Sequence, residues 1–139
     1  MVNQELSTLL LQMAEILEFA GQPGDGFRIR AYRNASQTVL DAPENLEKMA
    51  REKRLREIPG IGEGIAKKIE EYISTGKVKE FELLKRSIPE GFFELLQIPS
   101  LGPKKVKMLH EKLGISNKEE LKAAIQKGSV QDLPGFGKR

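Results

Sequence analysis

Residues 58–77 read IPGIGEGIAKKIEEYISTGK, and residues 98–114 read IPSLGPKKVKMLHEKLG. Each sets an apolar residue, a proline, a small residue, a second apolar residue and a glycine ahead of a lysine-bearing helical pattern. The proline fixes φ, and Gly60 and Gly62 permit backbone geometries and close approaches that a Cβ would obstruct. The chain is therefore expected to reverse and enter a helix. The first amides of that helix lack intrahelical partners and point outward with the positive end of its dipole, so a phosphate oxygen could reach Gly62 and Gly64, and Gly102 in the second copy. Such contacts read the phosphate backbone and ignore base identity. A third copy, LPGFGKR, begins at Leu133 and stops at Arg139. Because the turn recurs from Ile58 to Ile98 and again at Leu133, we read a repeated supersecondary unit. A chain that ends inside such a motif is expected to be a piece of a longer protein.

Outward from the repeat, helical spacing dominates. Leu6, Leu9, Leu10, Met13, Ile16 and Leu17 form one stripe, with Asn3 expected as the N-cap and Gly21 near the end. After the turn-rich GQPGDG, the stretch FRIRAYRNASQTVLD at 27–41 reads as a second helix, with Arg30, Arg33 and Gln37 on its polar side. ENLEKMAREKRL reads as a third. EFELLKRS, then PEGFFELLQ with Pro89 at its helix start, then NKEELKAAIQKG capped by Asn117 complete the pattern. No segment alternates as a half-buried strand would. The expected fold is all-α, a helical bundle with tandem hairpins, divided into 1–86 and 87–139.

Composition narrows the function. The 139 residues contain no cysteine and a single histidine, which argues against a disulfide framework or a zinc site and fits a reducing, cytoplasmic setting. No apolar run approaches the roughly 18 residues of a membrane span, and Glu5, Glu15 and Glu18 stand where a leader would be basic. The net charge of +3 is unevenly spread: residues 101–139 hold nine Lys/Arg against four Asp/Glu, and the remainder is slightly acidic. The second repeat is thus the stronger electrostatic footprint for a polyanion, although a lysine-rich surface can also be a solvated face.

The apolar-Pro-Gly-apolar-Gly turn resembles the helix-hairpin-helix DNA-binding motif. Ser100, in place of the first glycine, is the second copy's departure from it. In order and spacing, FRIRAYRNAS, LREIPGIGEGIAKKIEEYISTGKVKEFELLK, IPSLGPKKVKMLHEKLGISNKEELKAAIQKG and LPGFGKR resemble the N-terminal part of family X DNA polymerases, particularly bacterial and archaeal ones. The resemblance implies an eight-kilodalton lyase-type domain followed by a DNA-binding subdomain. It places the Mg2+-binding palm after residue 139, so this chain is not expected to polymerise DNA by itself.

Individual residues follow. Ile65, Ile69, Tyr72 and Ile73 form the apolar stripe of the helix after the first turn; Lys68 falls at its edge, and Lys67 points away with Glu63 and Glu70. Partial burial is expected to lower the Lys68 pKa and release a nucleophilic amine. Lys68 also matches the family's Schiff-base lysine, which implies attack on C1′ of an abasic sugar and β-elimination of the 3′-side phosphate. Snorkelling of Lys68 onto a phosphate is the other reading of the same position. By resemblance, Arg28, Tyr32 and Arg56 hold the 5′-phosphate and sugar, Phe27 replaces a base-stacking histidine, and Gly64 replaces a phosphate-binding lysine. For Phe27, core packing is the expectation preferred over stacking. Arg33, Lys67, Lys104, Lys105 and Lys107 complete the candidate DNA contacts, and His110 is expected to be partly buried or groove-lining rather than catalytic.

The family's hairpins also hold a monovalent cation, Na+ or K+, on backbone carbonyls. By position these belong to Arg56, Ile58 and Ile61, and to Leu96, Ile98 and Leu101; no other cofactor is expected of the chain. The expected partner is gapped or nicked DNA with a 5′-phosphate, held by a monomer. A non-catalytic DNA-binding module and a helical protein-interaction domain are the alternatives the residues leave open.

Overall fold

The computed structural model describes residues 2–129, and the third turn copy lies outside them. Among the described residues there are helices and turns but no strand. The chain divides between Arg86 and Ser87 into two compact units.

In the first unit, α1 (Val2–Ala20) and α2 (Gly26–Asp41) form an antiparallel hairpin. The periodic residues Leu6, Leu10, Met13 and Ile16 are buried, facing α2 residues such as Ala35 and Val39 that are equally enclosed. Polar groups inside this interface are paired. The Ser7 hydroxyl donates to the Ser36 carbonyl at 2.8 Å, and the Ser36 hydroxyl donates to the Ser7 carbonyl at 2.7 Å. That reciprocity satisfies both hydroxyls and fixes the axial register of the two helices.

Asn3 does not cap α1, which already begins at Val2. Instead it is buried, its Oδ1 accepting from Leu46 N–H at 2.9 Å and its Nδ2 donating to the Glu44 carbonyl at 2.9 Å. It thus fastens the start of α3 (Leu46–Arg51), whose own N-cap is Asn45. The third helical stretch is shorter than its composition suggests because Lys53 takes a left-handed conformation, φ 57°, and ends it. A 3-10 turn at Leu55–Glu57 resumes the chain and leads into the hairpin turn. Next come α4 (Glu63–Thr75), stopped by the left-handed Gly76, and α5 (Lys79–Leu84).

The second unit holds α6 (Phe92–Leu96), α7 (Pro103–Leu113) and α8 (Lys118–Gln126). Pro89 precedes α6 by three residues rather than opening it; its carbonyl accepts from Phe92 N–H at 3.1 Å. Phe92, Leu95, Val106, Leu109, Ile115 and Leu121 are buried and make the small core. Asn117 caps α8, its side chain accepting from Glu120 N–H at 2.8 Å. Gly91 has a packing reason: a Cβ there would lie 2.6 Å from the Ser116 carbonyl oxygen.

Candidate functional site

The two hairpin turns share one geometry. Ile61 N–H donates to the Ile58 carbonyl at 3.1 Å, and Leu101 N–H donates to the Ile98 carbonyl at 3.1 Å. Proline occupies the second position of each turn and a left-handed residue the third: Gly60 at φ 90° and Ser100 at φ 73°. This is the dihedral pattern of a type II turn, which favours glycine at the third position. Gly60 is required for its φ and not for space, since a Cβ would meet only Thr38 Oγ1, at 3.8 Å. Ser100 therefore keeps the turn but bears its strain.

The glycines that follow behave differently. Gly62 is the N-cap of α4 at φ −84°, ψ −178°, and Gly102 is the N-cap of α7 at φ −97°, ψ 177°. Any residue adopts this extended backbone, and among the described residues no side chain or backbone from elsewhere in the fold lies within 4 Å of a Cβ built at either position. Neither backbone conformation nor the packing of the described residues demands glycine there. A Cβ at Gly64, in the first turn of α4, also meets nothing. In α7, Pro103 at the first position removes one unsatisfied donor, Lys104 is exposed, and Lys105 and Lys107 are half-buried. His110 is half-buried, its Nδ1 3.1 Å from the Ile115 carbonyl oxygen.

In the first unit, α2, α4 and α5 bring together residues far apart in sequence. Lys68 Nζ lies 3.3 Å from Glu80 Oε2, the Tyr32 hydroxyl donates to the same oxygen at 3.2 Å, and Arg28 donates to Glu80 Oε1 at 3.2 Å. Tyr32 is buried, the Lys68 side chain is 24% exposed and that of Arg28 44%. Arg28 also reaches Asp25, at 3.4 Å. Glu80 was not singled out by the sequence, yet it joins three of the residues that were.

This arrangement overturns the expected charge state of Lys68. Burial does pull its ammonium down, but Tyr32 and Glu80 pull it up and prevail, leaving it above the ordinary 10.5. Tyr32 is itself raised above 10.0, first by burial and then by the Glu80 charge, against the opposing pull of Lys68 and Arg28. The site thus rests with a charged amine beside a neutral phenol. Burial alone does not free the nucleophile.

Phe27 is the second correction. It is 75% exposed at the start of α2, beside Arg28, and contributes nothing to the core. The remaining candidates scatter. Arg33 bonds Glu18 at 2.6 Å on the α1 side of α2. Lys67 is exposed, 3.8 Å from Glu63, which Arg56 approaches at 3.2 Å. Arg56 also lines a shallow cleft of about 300 Å³ with Lys53, Leu55, Ala66 and Glu70. No helix among the described residues is long and apolar enough to cross a membrane.

Comparison with known proteins agrees with this geometry. A helix-hairpin-helix domain family matches residues 1–78, and a SAM-like helix-hairpin-helix tandem matches residues 92–139. The chain is 34% identical over its whole length to the DNA polymerase/3′-5′ exonuclease PolX of Bacillus subtilis, of which it spans 24%. The chain belongs to the helix-hairpin-helix family of DNA-binding domains and, along its whole length, corresponds to part of a family X DNA polymerase.

Proposed function

We propose that this chain grips gapped or nicked DNA by its phosphates, one hairpin to each side of the break, and opens a 5′-deoxyribose phosphate through a Schiff base on Lys68. The observation that carries the reading is the pair Gly62 and Gly102. Each is a glycine that its backbone conformation does not require, at the start of a lysine-bearing helix, where a Cβ would meet nothing among the described residues. Outward amides and the helix dipole favour an anion at such a position, and a phosphate fits the open approach.

Arg28, Tyr32 and Lys68 give the first unit its chemistry. With the 5′-phosphate on Arg28 and the sugar against Tyr32, the Lys68 amine, once deprotonated, adds to the C1′ aldehyde. Loss of water leaves an iminium that acidifies the C2′ proton; removal of that proton expels the 3′-phosphate with the C3′–O electrons. Hydrolysis of the imine then returns the lysine. The exposed Phe27 offers a face on which the neighbouring base can stack. At the hairpins, the carbonyls of Arg56, Ile58 and Ile61, and of Leu96, Ile98 and Leu101, are neutral oxygens that suit Na+ or K+. Ile58 and Ile98 each retain a lone pair beyond the turn hydrogen bond. Such a cation would add positive charge for the DNA phosphate.

One observation favours a second reading. Because Tyr32 and Glu80 hold Lys68 charged, the same cluster could serve only to bind phosphate. Borohydride trapping on nicked DNA bearing a 5′-deoxyribose phosphate separates the two. A covalent adduct lost in Lys68→Ala supports the lyase; tight gap binding without adduct supports the holding module.

A further inference from the structure

Three donors from two helices converge on Glu80. Its distances to Arg28, Tyr32 and Lys68 are 3.2, 3.2 and 3.3 Å. Those are ordinary ion-pair distances for this chain, in which Arg56 and Glu63 stand 3.2 Å apart and Lys85 and Glu82 3.3 Å; what distinguishes Glu80 is the number of donors that it gathers. A carboxylate has two oxygens to divide among three donors, so Oε2 serves both Tyr32 and Lys68. A terminal phosphate has three non-bridging oxygens on a tetrahedral centre, one for each donor. Glu80 is also easy to move: it is 38% exposed and stands on a helix of six residues.

We infer that Glu80 is an internal stand-in for the substrate's phosphate, occupying the anion position formed by Arg28, Tyr32 and Lys68 until a DNA 5′-phosphate displaces it. The inference rests on the proposed function and adds a gate to that site. While Glu80 is seated, it competes with the phosphate for these donors. Once it swings outward, the phosphate takes its place on Arg28, Tyr32 and Lys68. Glu80 is thus a positioning residue that sets how readily the correct DNA end is held. Sequence-independent binding through the hairpins does not involve it.

The test compares the full chain with Glu80→Gln on gapped DNA whose downstream strand ends in 5′-phosphate or 5′-hydroxyl, followed by fluorescence anisotropy. Glutamine keeps the shape and removes the charge. Glu18→Gln, which removes a carboxylate engaged by Arg33 instead, controls for net charge. Glu80→Gln is expected to bind the 5′-phosphate DNA about tenfold more tightly, the scale left after contact electrostatics are discounted for solvent screening. The 5′-hydroxyl DNA should change no more than it does with Glu18→Gln. An equal gain on both ends, or a loss on the phosphate end, overturns the inference. If the wild-type chain prefers 5′-phosphate and Glu80→Gln adds nothing, the inference alone falls. If neither protein binds gapped DNA, the proposed function falls and takes the inference with it.

Discussion

Ser100→Gly should stabilise the second unit. Ser100 sits at φ 73° in the turn closed by Leu101 N–H to the Ile98 carbonyl, the position held in the first hairpin by Gly60 at φ 90°. A residue with a Cβ pays about 1–2 kcal/mol for left-handed backbone. Glycine escapes that cost but loses about 0.4–1 kcal/mol through its greater freedom in the unfolded chain. The expected net gain is therefore about 0.5–1 kcal/mol. Both tyrosines, Tyr32 and Tyr72, lie in the first unit, so fluorescence would miss the effect. Amide hydrogen exchange at buried α7 residues such as Leu109 reports on the right region. Their exchange should slow by a factor of about two to five in Ser100→Gly. The mirror change, Gly60→Ala, should cost the first unit about 0.5–1 kcal/mol on the same accounting, because the new Cβ would meet Thr38 only at ordinary contact distance. Unchanged or faster exchange in Ser100→Gly would refute the argument that the second turn is strained.

Other expectations follow from particular contacts. Asn3→Ala strips the Leu46 amide and the Glu44 carbonyl of their partner and should lower stability by about 1–3 kcal/mol, read by thermal unfolding. Phe27→Ala should leave the melting temperature unchanged, because the ring is exposed, yet weaken gapped-DNA binding by about 1–3 kcal/mol if a base stacks on it. Lys68 and Tyr32 are both raised in the folded chain, above 10.5 and 10.0. The stability this confers is complete below those unfolded values and is lost as pH rises through the folded ones, because the unfolded chain then holds fewer protons. Urea unfolding should therefore show a loss as pH rises above about 10 that is smaller in Glu80→Gln.

Much of this architecture was legible because it is encoded locally. The 3.6-residue stripes of α1 and α4, the Asn117 cap and the Pro-Gly turns each depend on residues within a few positions of one another. What escaped depends on distant parts of the chain meeting. Asn3 reads as a cap by its residue type, but its partners lie at Glu44 and Leu46. Glu80 is one acidic residue among many on short helices; only the packing of α5 near α2 and α4 gives it three donors. The Lys68 error has the same origin: its apolar neighbours were visible and its counter-ion was not. Phe27 was misjudged because an aromatic beside a helical pattern usually packs inward, whereas here it stands at the helix start facing solvent.

The claim that the hairpins hold phosphate at their helix starts is tested most directly by Gly62→Asp and Gly102→Asp, singly and together. Aspartate is a better N-cap than glycine and complements the helix dipole, so each variant should fold with equal or greater stability, by up to about 1 kcal/mol. The same carboxylate would stand in the cleared approach and repel a phosphate. The account predicts stable proteins whose affinity for gapped DNA falls about tenfold or more per substitution, with a shallower salt dependence. Stable variants that bind gapped DNA as tightly as the wild type would contradict it.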